Sequence, residues 1–221
     1  MRGDDFSSRP TQLVLARSDD TQLIARARAM TTDGTRRLLG ITGSPGAGKS
    51  TLADEIVSAL GDLAVLVPMD GFHLAQQQLD RLGLAATKGA IDTFDVGGFV
   101  HLLMRLHAAD EDVVYAPLFR RDLEEPIGSA VAVPRTVPLV VVEGNYLLAD
   151  SGGWERIRLL LAEAWFVEPD DEVRVARLIS RHMTFGRGRS AAEAWSLGSD
   201  QANAQVVEAT RERADVIVRG Q

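Results

Sequence analysis

Two spacings of apolar residues alternate along the 221 residues of this chain. Five short runs are apolar almost without interruption: residues 38–42, 63–67, 139–142, 164–167 and 214–218. Runs of that length and character fit strands covered on both faces, as in a parallel sheet. Between them, apolar positions return every three or four residues, the period of a helix with one buried face. Leu23, Ile24, Ala27 and Met30 predict a helix over 18–32, and Leu52, Ile56, Val57 and Leu60 another over 49–60. Phe99, Leu102, Leu103 and Leu106 predict one over 97–108, and further helices are expected over 153–161, 170–183 and 191–212.

Strands alternating with helices imply a mostly parallel sheet wrapped on both faces. The expected fold is a three-layer α/β domain, a single one over 1–221, with no internal repeat and no long linker. Residues 1–10 read as a frayed tail. Residues 71–96 have little periodicity and are expected to form an insert beside the functional site. Residues 113–115 and 131–133 flank a charged stretch and are expected to pair as a projecting β-ribbon.

Composition narrows the function classes. A net charge of −7 argues against broad nucleic-acid binding. With no cysteine, disulfides and thiolate metal sites are excluded, and a reducing, cytoplasmic setting is expected. No stretch approaches the ~20 apolar residues needed to cross a bilayer. The start of the chain, with Asp4 and Asp5, has no apolar run that would read as a secretory signal. Two lysines stand against 22 arginines. A lysine kept against that bias suggests a place that takes a slim point charge and refuses a forked guanidinium.

One of the two is Lys49, in Gly43-Ser44-Pro45-Gly46-Ala47-Gly48-Lys49-Ser50-Thr51. That run fits G-x-x-x-x-G-K-[ST] and sits between a predicted strand and a predicted helix, the context that gives the pattern meaning. Its glycines let successive backbone N–H groups converge on one concavity, and the helix starting there adds its positive end. Lys49 is expected to bridge the β- and γ-phosphates of a nucleotide, and the Ser50 hydroxyl to ligate Mg²⁺.

Two acids end predicted strands, Asp70 and Glu143. In an open parallel sheet the carboxyl ends of the strands line the ligand crevice. Asp70 fits a general base for a hydroxyl attacking the γ-phosphate, and equally an aspartate capping the turn at Gly71. Glu143 fits a Mg²⁺ ligand, direct or through water, against the alternative of an acid that merely ends a strand. Arg174, Arg177 and Arg181 share one stripe of the 170–183 helix, and Arg187 and Arg189 follow in a glycine loop. They fit a helical arginine lid over about 174–190 that closes on phosphates. A solvated face, with Asp170 and Arg174 as a helical ion pair, is the alternative. His73, Lys88, Tyr115, Arg120 and Arg121 are candidates for an acceptor pocket, with core packing open for Tyr115 and plain surface for Lys88.

In this order the features resemble the P-loop kinases of the uridine kinase, phosphoribulokinase and bacterial pantothenate kinase group. The resemblance is carried by the 43–51 loop, Met69-Asp70-Gly71-Phe72-His73, Phe94-Asp95, Val142-Glu143-Gly144, the arginine lid and Arg213-Ala214-Asp215-Val216-Ile217-Val218. It covers most of residues 38–219 and implies the P-loop three-layer fold. It also implies Asp70 as catalytic base, Glu143 at the metal, and the lid arginines on the nucleotide phosphates. Arg177 and Arg181 would act in catalysis, and Arg187 and Arg189 would hold nucleotide. Pro117 stands where the pantothenate kinases are expected to carry a histidine. The stretch 115–127 is similar to a nucleoside/nucleotide kinase, fructokinase-like branch.

The expected activity is ATP- and Mg²⁺-dependent transfer of the γ-phosphate to a hydroxyl of a nucleoside, sugar or pantothenate-like acceptor. The alternative is a nucleotide-dependent switch or ATPase acting on a protein partner. A nucleotide 5′-phosphate kinase would use Arg120 and Arg121 for the acceptor phosphate. A small-molecule acceptor is the expected partner, with no nucleic acid and no membrane; a homodimer is left open.

Overall fold

The computed structural model describes residues 12–220, so the expected tail at 1–10 lies outside the described residues. Among the described residues eight strands are formed: β1 (Leu13–Ala16), β2 (Arg37–Thr42), β3 (Ala64–Pro68), β4 (Val113–Arg120), β5 (Glu125–Pro134), β6 (Leu139–Glu143), β7 (Glu163–Glu168) and β8 (Val216–Arg219). The α-helices are α1 (Asp20–Ala29), α2 (Lys49–Leu60), α3 (Gln76–Leu82), α4 (Val96–Ala108), α5 (Asp171–Thr184), α6 (Arg189–Leu197) and α7 (Ser199–Glu208).

Six strands form one sheet in the order β1-β8-β7-β2-β6-β3, and every pairing in it is parallel. Because side chains alternate across a strand, each apolar run feeds both faces. Leu39, Ile41, Val141, Trp165, Val167, Val216 and Val218 pack with Leu23 and Ala27 of α1 and Leu52 and Ile56 of α2. Leu38, Val140, Val142, Phe166 and Ile217 pack on the other side with Phe99, Leu103 and Leu106 of α4, Trp154 and Val207. The three layers follow from that division.

Chain order in the sheet puts the functional edge together. From β2 the chain crosses through α2 to β3, leaving room for β6 between them. The register sets Ile41, Glu143 and Pro68 abreast. The segments that leave β2, β6 and β3 therefore emerge side by side. Across the sheet's face the antiparallel β4–β5 ribbon projects, running from Val113 to Pro134. The middle of β4 packs on the turn after β3: a β-carbon on Gly71 would lie 2.5 Å from the Pro117 carbonyl oxygen.

Two local expectations need correction, and two elements are additions to what the sequence predicts. Residues 13–16 add a strand on the sheet edge, β1, which an apolar run of only four residues does not announce. The 153–161 helix is instead two 3₁₀ turns, Trp154–Arg156 and Arg158–Leu160, that bury Trp154 and Ile157. The 191–212 helix is two helices broken at Gly198, where a β-carbon would lie 2.8 Å from the Ala194 carbonyl oxygen. The 71–96 insert contains a short helix, α3, which Gly83 ends in the left-handed region.

Candidate active site

A cavity of about 700 Å³ opens at the carboxyl edge of the sheet, walled by the loop after β2, the turn after β3, the end of β6, the ribbon tip and α5. Pro45, Gly46, Gly48, Lys49, Ser50 and Thr51 form its floor. Gly46 fits only without a side chain: its φ is +82°, and a β-carbon would lie 2.7 Å from Leu178 Cγ and 2.9 Å from the Arg174 carbonyl oxygen. Gly43, Ser44 and Ala47 stand behind the floor rather than in it. There the Ser44 hydroxyl donates to Glu208 at 2.6 Å. Lys49 is buried, and its ammonium donates to the Ser44 carbonyl oxygen at 3.0 Å. Burial pushes the Lys49 ammonium below its usual pKa, while the negative charges of Glu143 and Asp70 pull it back up.

Both strand-end acids face this cavity. Asp70 sits in a 3₁₀ turn, Met69–Phe72, and its Oδ2 accepts from Arg121 Nη2 at 3.3 Å. Glu143 is buried, and burial raises its carboxyl to about 7 against the opposing pull of Lys49. Among the described residues Glu143 makes no ion pair.

The arginine stripe divides by position. Arg177 and Arg181 line the cavity, and Arg177 Nη1 lies 3.5 Å from where a Gly48 β-carbon would stand, above the start of α2. Burial and the neighbouring Arg121 push the Arg181 guanidinium below its usual range. Arg174 turns away. Buried, it bonds Asp171 at 2.8 Å and the Pro45 carbonyl at 3.4 Å, and so braces the loop from behind. The expected Asp170–Arg174 pair is corrected to Asp171, because Asp170 caps α5 by accepting from Glu172 N. Arg187 reaches the cavity, held 4.1 Å from the Trp195 ring centroid. Arg189 does not. It starts α6 on the surface, where it pairs with Glu193 one turn on at 2.8 Å.

Of the acceptor-pocket candidates, His73, Lys88 and Arg121 line the cavity. His73 lies between Phe94 and Phe119, with Nδ1 2.8 Å from the Asp70 carbonyl oxygen, and burial lowers its pKa. Lys88 donates to the Glu124 carbonyl oxygen at 2.6 Å. Arg120 and Tyr115 are corrected: Arg120 forms a two-point pair with Asp122 outside the cavity, and Tyr115 is 54% exposed on the ribbon. Arg120 is the last residue of β4, and Arg121 opens the turn 121–124, where the chain reverses and the Arg121 side chain reaches Asp70.

Sequence reasoning missed Asn145, Phe119, Asn203, and the His182–Asp200 pair, bonded at 2.7 Å, which ties α5 to α7 beside the cavity. Eighteen positions separate the two partners of that pair. Their only sequence signal is a polar residue on an otherwise apolar helical face, too common to single out.

The chain is 35% identical to an ATP-dependent kinase-like protein of Aspergillus versicolor over 161 residues, which is 69% of this chain and 94% of that protein. A crystal structure named for a fructose transport system kinase of Silicibacter sp. TM1040 superposes with a TM-score of 0.80 at 35% identity, covering 90% of this chain and 98% of that one. The phosphoribulokinase of Rhodobacter sphaeroides shares the fold, with a TM-score of 0.59 at 14% identity over 85% of this chain and 71% of that one. Residues 38–220 match the phosphoribulokinase / uridine kinase family, so the loop, the acids and the arginine helix stand in a chain that belongs to that family of ATP-dependent small-molecule kinases.

Proposed function

We propose that this kinase transfers the γ-phosphate of ATP to a hydroxyl of a nucleoside, sugar or pantothenate-like acceptor, with Asp70 as the base. The observation that carries the reading is that Asp70 and the Lys49 loop open into one cavity of about 700 Å³, roomy enough for a triphosphate tail and a small acceptor together. Lys49, Arg177, Arg181 and Arg187 all line it, gathering positive charge in a chain whose net charge is −7. There they offset charge that spreads over the transferred phosphoryl group. Beside them, Asp70 takes the proton as the acceptor O–H bond breaks. The acceptor oxygen bonds to the γ-phosphorus, the bond from phosphorus to the β–γ bridging oxygen breaks, and ADP leaves with that electron pair.

The donor set also fits Mg²⁺ carried in with the nucleotide. Among the described residues no group of three His, Cys, Asp or Glu could cage a metal alone. Mg²⁺ is commonly held by one or two carboxylates together with substrate phosphates. Glu143, buried and without an ion pair, and the Ser50 hydroxyl are the residues that would hold it. When bound, the ion neutralises charge on the β- and γ-phosphate oxygens.

The direct test is Asp70→Asn in an ATP-consumption screen across nucleosides, sugars and pantothenate-like alcohols. We expect ATP affinity to hold while turnover falls by about 10²-fold or more. Near-normal turnover would remove Asp70 from the base role. A protein partner as the true target would show itself as ATP hydrolysis that no small alcohol stimulates and a protein does.

A further inference from the structure

The Asp70–Arg121 contact joins residues 51 positions apart and occupies a carboxylate oxygen of the proposed base. Chance surface pairing does not account for the way it is built. The ribbon tip that carries Arg121 is pinned at two points to the insert below it. Lys88 donates to the Glu124 carbonyl oxygen at 2.6 Å, and Glu125 accepts from the backbone of Gln76, the first residue of α3, at 3.0 Å. Glu124 itself takes a positive φ of 54°, uncommon for a residue with a side chain, so the tip is held in a defined shape. Arg120 is locked outward by Asp122. Arg121 reaches inward from that held backbone, as far as the Asp70 carboxylate. It is 45% exposed against 31% for Asp70, so it can leave without breaking a packed core.

We infer that Arg121 is a displaceable cover on the Asp70 carboxylate, and that an acceptor carrying an oxyanion, as a carboxylate or a phosphate ester, draws it off. The inference rests on the reading of Asp70 as the base. A guanidinium–carboxylate pair is a charge-assisted contact, roughly twice as strong as a neutral hydrogen bond. A neutral hydroxyl from an acceptor is therefore a poor substitute for Asp70 as partner of Arg121, whereas an oxyanion replaces it in kind. The surroundings favour an anion too. The charges of Lys88 and Arg121 both press on His73, and Arg121 also presses on Lys49 and Arg181. The opposing acids on the cavity wall are Asp70 itself, Glu143, Glu124 and Asp200; Glu124 is already paired with Lys88, and Asp200 with His182. Without acceptor, the covered Asp70 does not activate water, and ATP is spared. With an anionic acceptor seated, Arg121 swings onto its oxyanion, which brings the acceptor's hydroxyl to the uncovered base.

The test is ADP formation from Mg-ATP with no acceptor present, a rate that a damaged site lowers and an uncovered base raises. Arg121→Ala should raise it about fivefold, the upper worth of a half-exposed ion pair. Arg121→Lys should lie between that and the parent. The double variant Asp70→Asn with Arg121→Ala should fall back to the Asp70→Asn rate, because the extra hydrolysis runs through Asp70. Acetate and inorganic phosphate then serve as bare oxyanion probes, with glycerol as the neutral control. In the parent protein, stimulation by acetate assigns a carboxylate and stimulation by phosphate a phosphate ester; Arg121→Ala should answer to neither. An Arg121→Ala rate equal to or below the parent's overturns the cover. Failure of both anions, or equal stimulation of the variant, overturns the anionic acceptor. If Asp70→Asn keeps full turnover with an acceptor, the base assignment is what fails. If Asp70→Asn is slow while Arg121→Ala is unchanged, the cover alone fails.

Discussion

The two ends of the cavity are built by different means. At the phosphate end, six residues of one continuous loop, Pro45, Gly46, Gly48, Lys49, Ser50 and Thr51, supply the floor, and its shape is imposed by backbone. Gly46 packs against Leu178 and the Arg174 carbonyl with no room for a β-carbon, and Arg174 is spent on bracing the loop rather than on ligand. At the acceptor end, Asp70, His73, Lys88 and Arg121 come from three separate segments and meet through side chains. Their contacts are partly exposed and exchangeable. A triphosphate tail is the same in every ATP, so a rigid cradle suits it. An acceptor must be admitted, recognised and released as product, and side chains that trade partners allow that.

If this contrast is right, the phosphate end should tolerate substitution least. Lys49→Ala should lower kcat/KM by about 10²–10³-fold and weaken ATP binding as well, since the lost charge touches bound nucleotide in both ground and transition states. Isothermal titration with a non-hydrolysable ATP analogue checks the binding part; unchanged affinity would break the assignment of the loop. A smaller effect is expected from Gly46→Ala, which adds one methyl group and nothing chemical. The left-handed φ and the clash with Leu178 should cost about 1–3 kcal/mol of stability. Thermal melts without ligand measure it directly. The matching substitution at Gly83, which has a positive φ but open space around it, should cost less. Equal losses at the two glycines would mean that close packing adds nothing at Gly46.

The same contrast explains what was legible in the sequence. A backbone cradle needs particular residues at fixed offsets, so the loop and its Lys49 could be read off, and apolar runs of strand length marked five of the six strands of the sheet, all but the edge strand β1. Asp70 and Glu143 were legible because strand ends meet at one edge in a parallel sheet. Arg121 could be named only together with Arg120, since what separates them is where β4 stops and the turn begins, and nothing in a charged run marks that point. Arg174 misled for a related reason. A helical stripe shows which residues share a face, but not whether a neighbour such as α7, with Gln201, covers part of it. Likewise the 3₁₀ turns at 154–160 carry helix-like apolar spacing, and their shortness comes from how Trp154 and Ile157 enter the core.

Glu143 stands where the two ends meet, and its protonation offers the finest test of the division. Its carboxyl, raised to about 7 by burial, is largely protonated at pH 6 and ionised at pH 8 when no ligand is bound. A metal ligand must be deprotonated, so the proton competes with Mg²⁺. The sign follows: as pH falls below about 7, the apparent affinity for Mg²⁺ at saturating ATP should weaken, approaching tenfold per pH unit. Glu143→Gln should bind Mg²⁺ less well at pH 8 and lose that part of the slope. The terminal phosphate of the nucleotide titrates in the same region, so the informative quantity is the difference between the parent and variant curves. Parallel curves would take Glu143 away from the metal and leave it a buried counter-charge for Lys49. Then the phosphate end would owe its ion to Ser50 and the nucleotide, and its rigidity to the loop alone.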